Sequence, residues 1–274
     1  MALKAAVLTA FLLAGFASFA QRSTLILADL SIKDASVSNT IMVDSADIID
    51  GASFDATDSV LYYARRKGKE WELIAFRIPT GSHDILLTSP ERIAYPRNTP
   101  DGKFISFLAG ESGRLVKFSP SAKNTFVLHD ASLDNYIWVD DNAALVILRG
   151  DPNQLLLVTL RPKKVMAVAQ HVGREMQRSG KIIAFVHKLS VDSWSLKKVN
   201  PNGSIDILKE TMQDSDLFTI AKERVLMINE LRLHIEDRSA GWKEIALTFY
   251  ADRNVTGVGA NNAGERIFLI LTNP

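Results

Sequence analysis

A stretch of about 42 residues recurs six times along this 274-residue chain, and a period of that length marks a propeller assembled blade by blade. The most legible copy reads Thr99-Pro100-Asp101-Gly102-Lys103-Phe104-Ile105-Ser106-Phe107, a turn that opens into an apolar strand. Anchored on Ile105, the equivalent strand positions are Leu61, Ile105, Leu145, Ile183, Val225 and Ile267, with spacings of 44, 40, 38, 42 and 42 residues.

Three residues before each anchor, where the turn needs a left-handed backbone, stand Asp58, Gly102, Asn142, Gly180, Lys222 and Gly264. All but Lys222 belong to the Gly, Asn and Asp class that tolerates φ > 0. Two residues after each anchor come Tyr63, Phe107, Ile147, Phe185, Met227 and Leu269, all apolar; between them lie Tyr62, Ser106, Val146, Ala184, Leu226 and Phe268, mostly apolar or small. Such a strand is buried on both faces, as when each sheet packs between two neighbours.

Each repeat continues into a hairpin. In the first, Trp71 to Arg77 turns at Pro79-Thr80-Gly81-Ser82 into Asp84 to Thr88, and in the fifth Leu231 to Ile235 is followed by Glu244 to Leu247. With the strand that precedes the anchor turn, the expectation is an all-β, six-bladed β-propeller of four-stranded antiparallel blades. The sixth anchor strand ends three residues before the C-terminus, so its blade lacks an outer hairpin. Thr24 to Ala28 and Thr40 to Val43 read as the missing third and fourth strands, which would close the ring and remove two free sheet edges.

Lys4, the apolar run Ala5 to Phe19 and the small residues Ser18 and Ala20 read as a secretory signal peptide over residues 1–20, cleaved before Gln21, with residues 21–274 as one propeller domain. An uncleaved anchor is the alternative; no later segment is apolar enough to span a membrane. The absence of cysteine excludes disulfides, thiolate metal sites and cysteine nucleophiles, so stability must come from the core. Lys plus Arg exceed Asp plus Glu by one, which gives no basic field for nucleic acid.

The Thr-Pro-Asp-Gly-Lys-Phe-Ile-Ser-Phe copy at residues 99–107 resembles the Ser-Pro-Asp-Gly-Lys-x-Ile-Ala-Phe repeat of TolB-type six-bladed propellers, a WD-repeat-like family. Gly180 to Phe185 and Gly264 to Ile267 keep fragments of it, whereas Asp140-Asp141-Asn142 and Ala221-Lys222-Glu223 depart from it. The resemblance is to the propeller alone and implies a periplasmic or secreted protein that binds other envelope proteins.

The residues themselves name no reaction. His83, His129, His171, His187 and His234 fall in different repeats with no metal-ligand spacing, and read as isolated surface histidines. Gly110-Glu111-Ser112-Gly113 falls one residue short of a nucleophile elbow and reads as a hairpin loop. Asp140-Asp141 reads as a turn cap. No cofactor and no metal are expected. Binding is expected on the face built from the loops between second and third strands and between one blade and the next, at Arg65, Arg66, Glu91, Glu111, Asp134, Arg149, Asp151, His171, His187 and Asp216. The reading is a monomeric, non-catalytic module for a protein or peptide. The alternative is a propeller enzyme, a lyase or hydrolase of sugars or peptides, with its site assembled from loops of several blades.

Overall fold

Each repeat delivers one four-stranded antiparallel sheet, and six sheets stand around a common axis. The computed structural model describes residues 22–190, 193–200, 203–212, 214–237, 241–247, 250 and 252–274. The signal-peptide expectation lies outside these residues. Among them, no helix is long and apolar enough to cross a membrane.

The chain opens with β1 (Ser23–Ser31) and β2 (Ser36–Ala46). Blade 1 then comprises β3 (Ile48–Phe54), β4 (Val60–Lys67), β5 (Glu70–Arg77) and β6 (Ser82–Ser89). Blade 2 comprises β7 (Ile93–Asn98), β8 (Ile105–Ala109), β9 (Arg114–Ser119) and β10 (Asn124–His129), and blade 3 β11 (Leu133–Asp140), β12 (Ala143–Leu148), β13 (Gln154–Leu160) and β14 (Lys163–Gln170). Blade 4 follows with β15 (Val172–Ser179), β16 (Ile182–Ser190), β17 (Ser193–Val199) and β18 (Ile205–Glu210), and blade 5 with β19 (Leu217–Ala221), β20 (Arg224–Asn229), β21 (Arg232–Asp237) and β22 (Gly241–Glu244). The last blade joins both ends of the chain in the order β2-β1-β24-β23, with β23 (Asn254–Ala260) innermost and β24 (Arg266–Thr272) beside it.

All six anchors fall on second strands, and the alternation along these strands assigns side chains to seams. On β24, Ile267, Leu269 and Leu271 pack against blade 5, while Phe268 and Ile270 pack against blade 1. The same alternation produces six apolar clusters, one at each seam. β1 completes the ring in a continuous ladder on β24 from Ser23↔Thr272 to Asp29↔Arg266. Its Leu25, Ile26 and Leu27 are buried, each contributing about 1.5–3 kcal/mol of transfer free energy. The fourth strands form the rim and carry the exposed apolar side chains Met42, Ile85, Val127, Val165 and Ile207.

Five of the six turn positions have positive φ, and the exception is Asn142, not Lys222. Asp140 pairs with Ala143, so the turn is a two-residue loop in which Asp140 Oδ1 accepts the Asn142 N–H at 2.8 Å. Lys222 and Glu223 are both left-handed, at φ 45° and 65°, the pattern of a type I′ hairpin turn. The fourth strand of blade 5 differs from expectation: it is β22, ahead of Glu244–Leu247. Ile235 pairs with Lys243 and Glu236 with Trp242, which leaves Ile245 to turn into the core and Ala246 to bridge Ser36 of β2.

Candidate functional site

Five of the six innermost strands are bulged, at Ile49/Ala52, Ala94/Arg97, Leu133/Asn135, Val172/Met176 and Val255/Gly257. A bulge breaks the strict alternation and re-aims side chains towards the axis. In blade 1 it places Gly51 at φ 85°, and a Cβ there would lie 3.0 Å from the Tyr95 backbone. In blade 2, Tyr95 itself adopts φ 50°, ahead of Pro96 and Arg97. Buried polar groups hold this distorted backbone. The Tyr136 hydroxyl is 3.0 Å from the Tyr95 carbonyl and 2.8 Å from Ser106 Oγ. Fully buried Ser106 donates to the Arg97 carbonyl at 3.0 Å and accepts from Trp138 Nε1 at 2.8 Å.

The inner strands enclose an axial cavity of about 400 Å3 that reaches the turns between first and second strands at Asp55, Ala56, Pro100, Gly180 and Asn262. Phe54, Trp138, Phe218 and Phe268 contribute apolar wall; Asp50, Arg97, Glu175 and Arg178 contribute charge. Arg92 Nε meets Asp50 at 2.6 Å across the seam of blades 1 and 2. Burial pushes the Asp50 carboxyl up, against the pull of Arg92.

Glu175 carries the cavity's other buried carboxyl, its side chain 12 % exposed. Oε1 accepts from Asn135 Nδ2 at 3.1 Å and from Met176 N and Gln177 Nε2 at 3.2 Å, while Arg97 Nη2 lies farther off at 3.8 Å. Burial outweighs these donors and pushes its pKa up to about 7. Among the described residues, no three His, Cys, Asp or Glu side chains are grouped to hold a metal ion.

None of the ten residues expected to bind lines this cavity. Four of them are strand residues, not loop residues: Arg65 and Arg66 in β4, Asp134 in β11 and His187 in β16. The ladders run on through the charged positions, with Arg65 opposite Glu72 and His187 opposite Ser195. Glu91, Glu111, Arg149, Asp151, His171 and Asp216 do lie in connections.

Five of the ten sit in ion pairs. Arg65 binds Asp44 and Glu72 at 2.6 Å each, Arg114 binds Glu91 at 2.7 Å, and Arg149 binds Asp134 at 2.6 Å. Asp216 takes Arg174 at 3.0 Å and Lys188 at 2.8 Å. Arg149, Asp134 and Glu111 come together, since Arg149 Nη1 also donates to the Glu111 carbonyl at 3.1 Å. The histidines correct a second expectation: His129 is buried, its Nδ1 without a partner among the described residues, and His187 Nδ1 lies 2.7 Å from Lys197 Nζ.

Sequence reasoning passed over Asp50, Arg97 and Glu175. Pro96 inside a strand pattern was the available signal, because proline is confined to edges and bulges.

No protein-family model matches the sequence, and no curated protein matches it. Among solved structures, a protein assigned as TolB from Agrobacterium tumefaciens superposes with a TM-score of 0.65 at 10% identity, over 93% of this chain and 99% of its own. TolB from Acinetobacter baumannii matches 91% of this chain with a TM-score of 0.59 at 17% identity, and this chain spans 63% of that protein's length. A protein assigned as a gluconolactonase reaches a TM-score of 0.59 at 8% identity, over 82% of this chain and 88% of its own. At these identities the likeness is one of fold.

Proposed function

We propose that this chain is an exported, non-catalytic propeller that binds a protein or peptide, and that a segment of the partner seats in the axial cavity. The cavity carries this reading: about 400 Å3, walled by inner strands from all six blades, with apolar and charged groups side by side. A volume in that range accommodates a few side chains, not a folded domain. The rest of the partner would lie on the face of the turns between first and second strands. On the opposite face, many of the charges are already engaged in ties within and between blades. Export is supported by the apolar leader at residues 1–20 and by the likeness to TolB propellers.

The test is retention of envelope proteins on the immobilised chain. Ala56→Trp, at the exposed mouth of the cavity, should reduce capture of the principal partner at least about tenfold. Capture unchanged by Ala56→Trp but lost in Glu111→Lys would move the site to the loop face.

A second reading, a propeller enzyme acting on sugars or peptides, is favoured by Glu175. A cavity carboxyl that titrates near neutrality is suited to general acid–base work. Turnover of lactones or peptides by the purified chain, abolished in Glu175→Gln, would establish it.

A further inference from the structure

We propose that the axial cavity is a carboxylate receptor, in which the Arg97 guanidinium takes the two oxygens of an incoming carboxylate. This names the chemistry of the partner group and rests on the reading that the partner enters the axis.

Three observations carry the assignment. First, Arg97 is held in place, but its side chain has no hydrogen-bond acceptor among the described residues. Its backbone is locked in the bulge through Ser106, and its side chain is 16 % exposed. Yet Nε is buried without a partner, and the guanidinium's contacts are Glu175 at 3.8 Å and the Tyr136 ring at 5.9 Å from its centroid. Nη1 and Nη2, which are neither buried nor hydrogen-bonded among the described residues, are the donors open to a ligand, and a carboxylate satisfies both at once.

Second, the nearest acceptor is already occupied. Glu175 Oε1 receives three donors from Asn135, Met176 and Gln177, and these hold it beyond hydrogen-bond reach of Arg97. The other cation of the wall, Arg178, is partly engaged: Nε donates to the Gly180 carbonyl at 3.0 Å and Nη1 to the Trp138 carbonyl at 2.9 Å.

Third, the charges balance for a single negative group. Asp50 is matched by Arg92, and the hydroxyl of Thr57 and the N–H groups of Ser59 and Val60 surround Asp55. Arg97 therefore faces one titratable carboxyl, Glu175. With Glu175 holding its proton, the three arginines Arg92, Arg97 and Arg178 exceed Asp50 and Asp55 by one charge, so a monoanion is neutralised there, whereas a doubly charged phosphate would meet excess negative charge. Phe54, Trp138 and Phe218 supply the wall for an apolar group attached to the carboxylate.

The experiment titrates the full chain with benzoate, benzamide and inorganic phosphate, following the Arg97 guanidinium N–H resonances and the melting temperature. Benzoate should shift those resonances and bind with a dissociation constant of about 1 mM or tighter, with benzamide and phosphate at least about tenfold weaker. Arg97→Lys and Arg97→Gln should both lose benzoate binding. The lysine variant, which keeps the charge, serves as the second protein should the glutamine variant fail to fold. Equal binding of benzoate and benzamide, preference for phosphate, or benzoate binding that survives both substitutions would overturn the proposal.

Two peptide arms separate the sources: a short apolar peptide with a free C-terminus, and an amidated one whose only carboxylate is a glutamate side chain. The better binder identifies which carboxylate the cavity takes. Partner capture abolished by Ala56→Trp but indifferent to Arg97→Lys would retain the binding function and remove the carboxylate assignment. Benzoate binding with capture indifferent to Ala56→Trp would do the reverse.

Discussion

Asp58 and Asn262, 204 positions apart in the chain, are joined by two hydrogen bonds across the closing seam: the Asn262 N–H and Nδ2 reach Asp58 Oδ1 at 2.9 and 2.7 Å. Asn261 Nδ2 and the Ala263 N–H donate to the other oxygen, each at 3.1 Å. The turn of blade 1 thus acts as a clasp on the turn of blade 6. It is independent of the β1–β24 ladder.

Asp58→Ala should lower stability by about 2 kcal/mol, since it strips four donors of a charged acceptor. Asp101→Ala, at the matching turn of blade 2, should cost about 1 kcal/mol or less, because among the described residues Asp101 bonds Thr99 and Lys103 of its own turn and no other. Urea unfolding of the two variants makes the comparison. Equal losses would mean that the clasp contributes nothing beyond turn geometry.

Removing residues 22–46 deletes β1 and β2 and exposes the β24 edge. Leu25, Ile26 and Leu27 alone account for about 5–9 kcal/mol of transfer free energy, comparable with the whole stability of a domain. The truncated chain should aggregate or unfold without cooperativity, as read by light scattering and thermal melts. A monomeric product with an unchanged melting temperature would contradict closure by the N-terminal strands.

Glu175 sets a pH dependence whose sign can be worked out. Its folded pKa of about 7 lies above the ordinary 4.5, so the native state holds the proton more tightly than the unfolded chain does. Its contribution is complete below about pH 4.5 and is lost as pH rises to about 7, by about 3 kcal/mol at most. Glu175→Gln keeps the shape and removes the titration. The stability of the variant relative to the native chain should therefore increase between pH 5 and pH 8 in urea melts. A constant difference would show that Glu175 titrates in its ordinary range.

Ser106→Ala leaves the Trp138 indole N–H and the Arg97 carbonyl without their buried partner. A loss of about 2–3 kcal/mol is expected, together with a changed Trp138 fluorescence. Ser106→Cys, of similar shape but a weaker hydrogen-bonding group, should fall between the two. A loss below about 0.5 kcal/mol would show that the network does not hold the bulge.

The fold was legible because it repeats. The anchor residues Leu61 to Ile267 obey a local rule, two apolar faces on one strand, that each blade must satisfy for itself. The axial cavity was not legible, because it is made by strands that meet only after the ring closes. Arg97 and Glu175 each look like a misplaced charge in a strand until the blades bring them to 3.8 Å. Arg149 and Asp134 misled in the opposite sense. They appeared as loop charges without a structural reason, and the reason is the ion pair they form with each other. Lys222 shows a third limit: a type I′ turn took two residues disfavoured there, with Gly264 of the next blade crowding in so closely that a Cβ would lie 2.5 Å from the Lys222 nitrogen.

Pairing of Ser23 with Thr272 brings the beginning and the end of the propeller to one rung of the same ladder, roughly 5 Å apart. A few added residues could splice them. Fresh ends could then be opened at Asp47, the single residue between β2 and β3. In such a circular permutant every blade is one uninterrupted stretch of chain, and the ladder that spans almost the whole sequence becomes a local hairpin. Loop-closure entropy falls, and refolding should accelerate relative to the native connectivity.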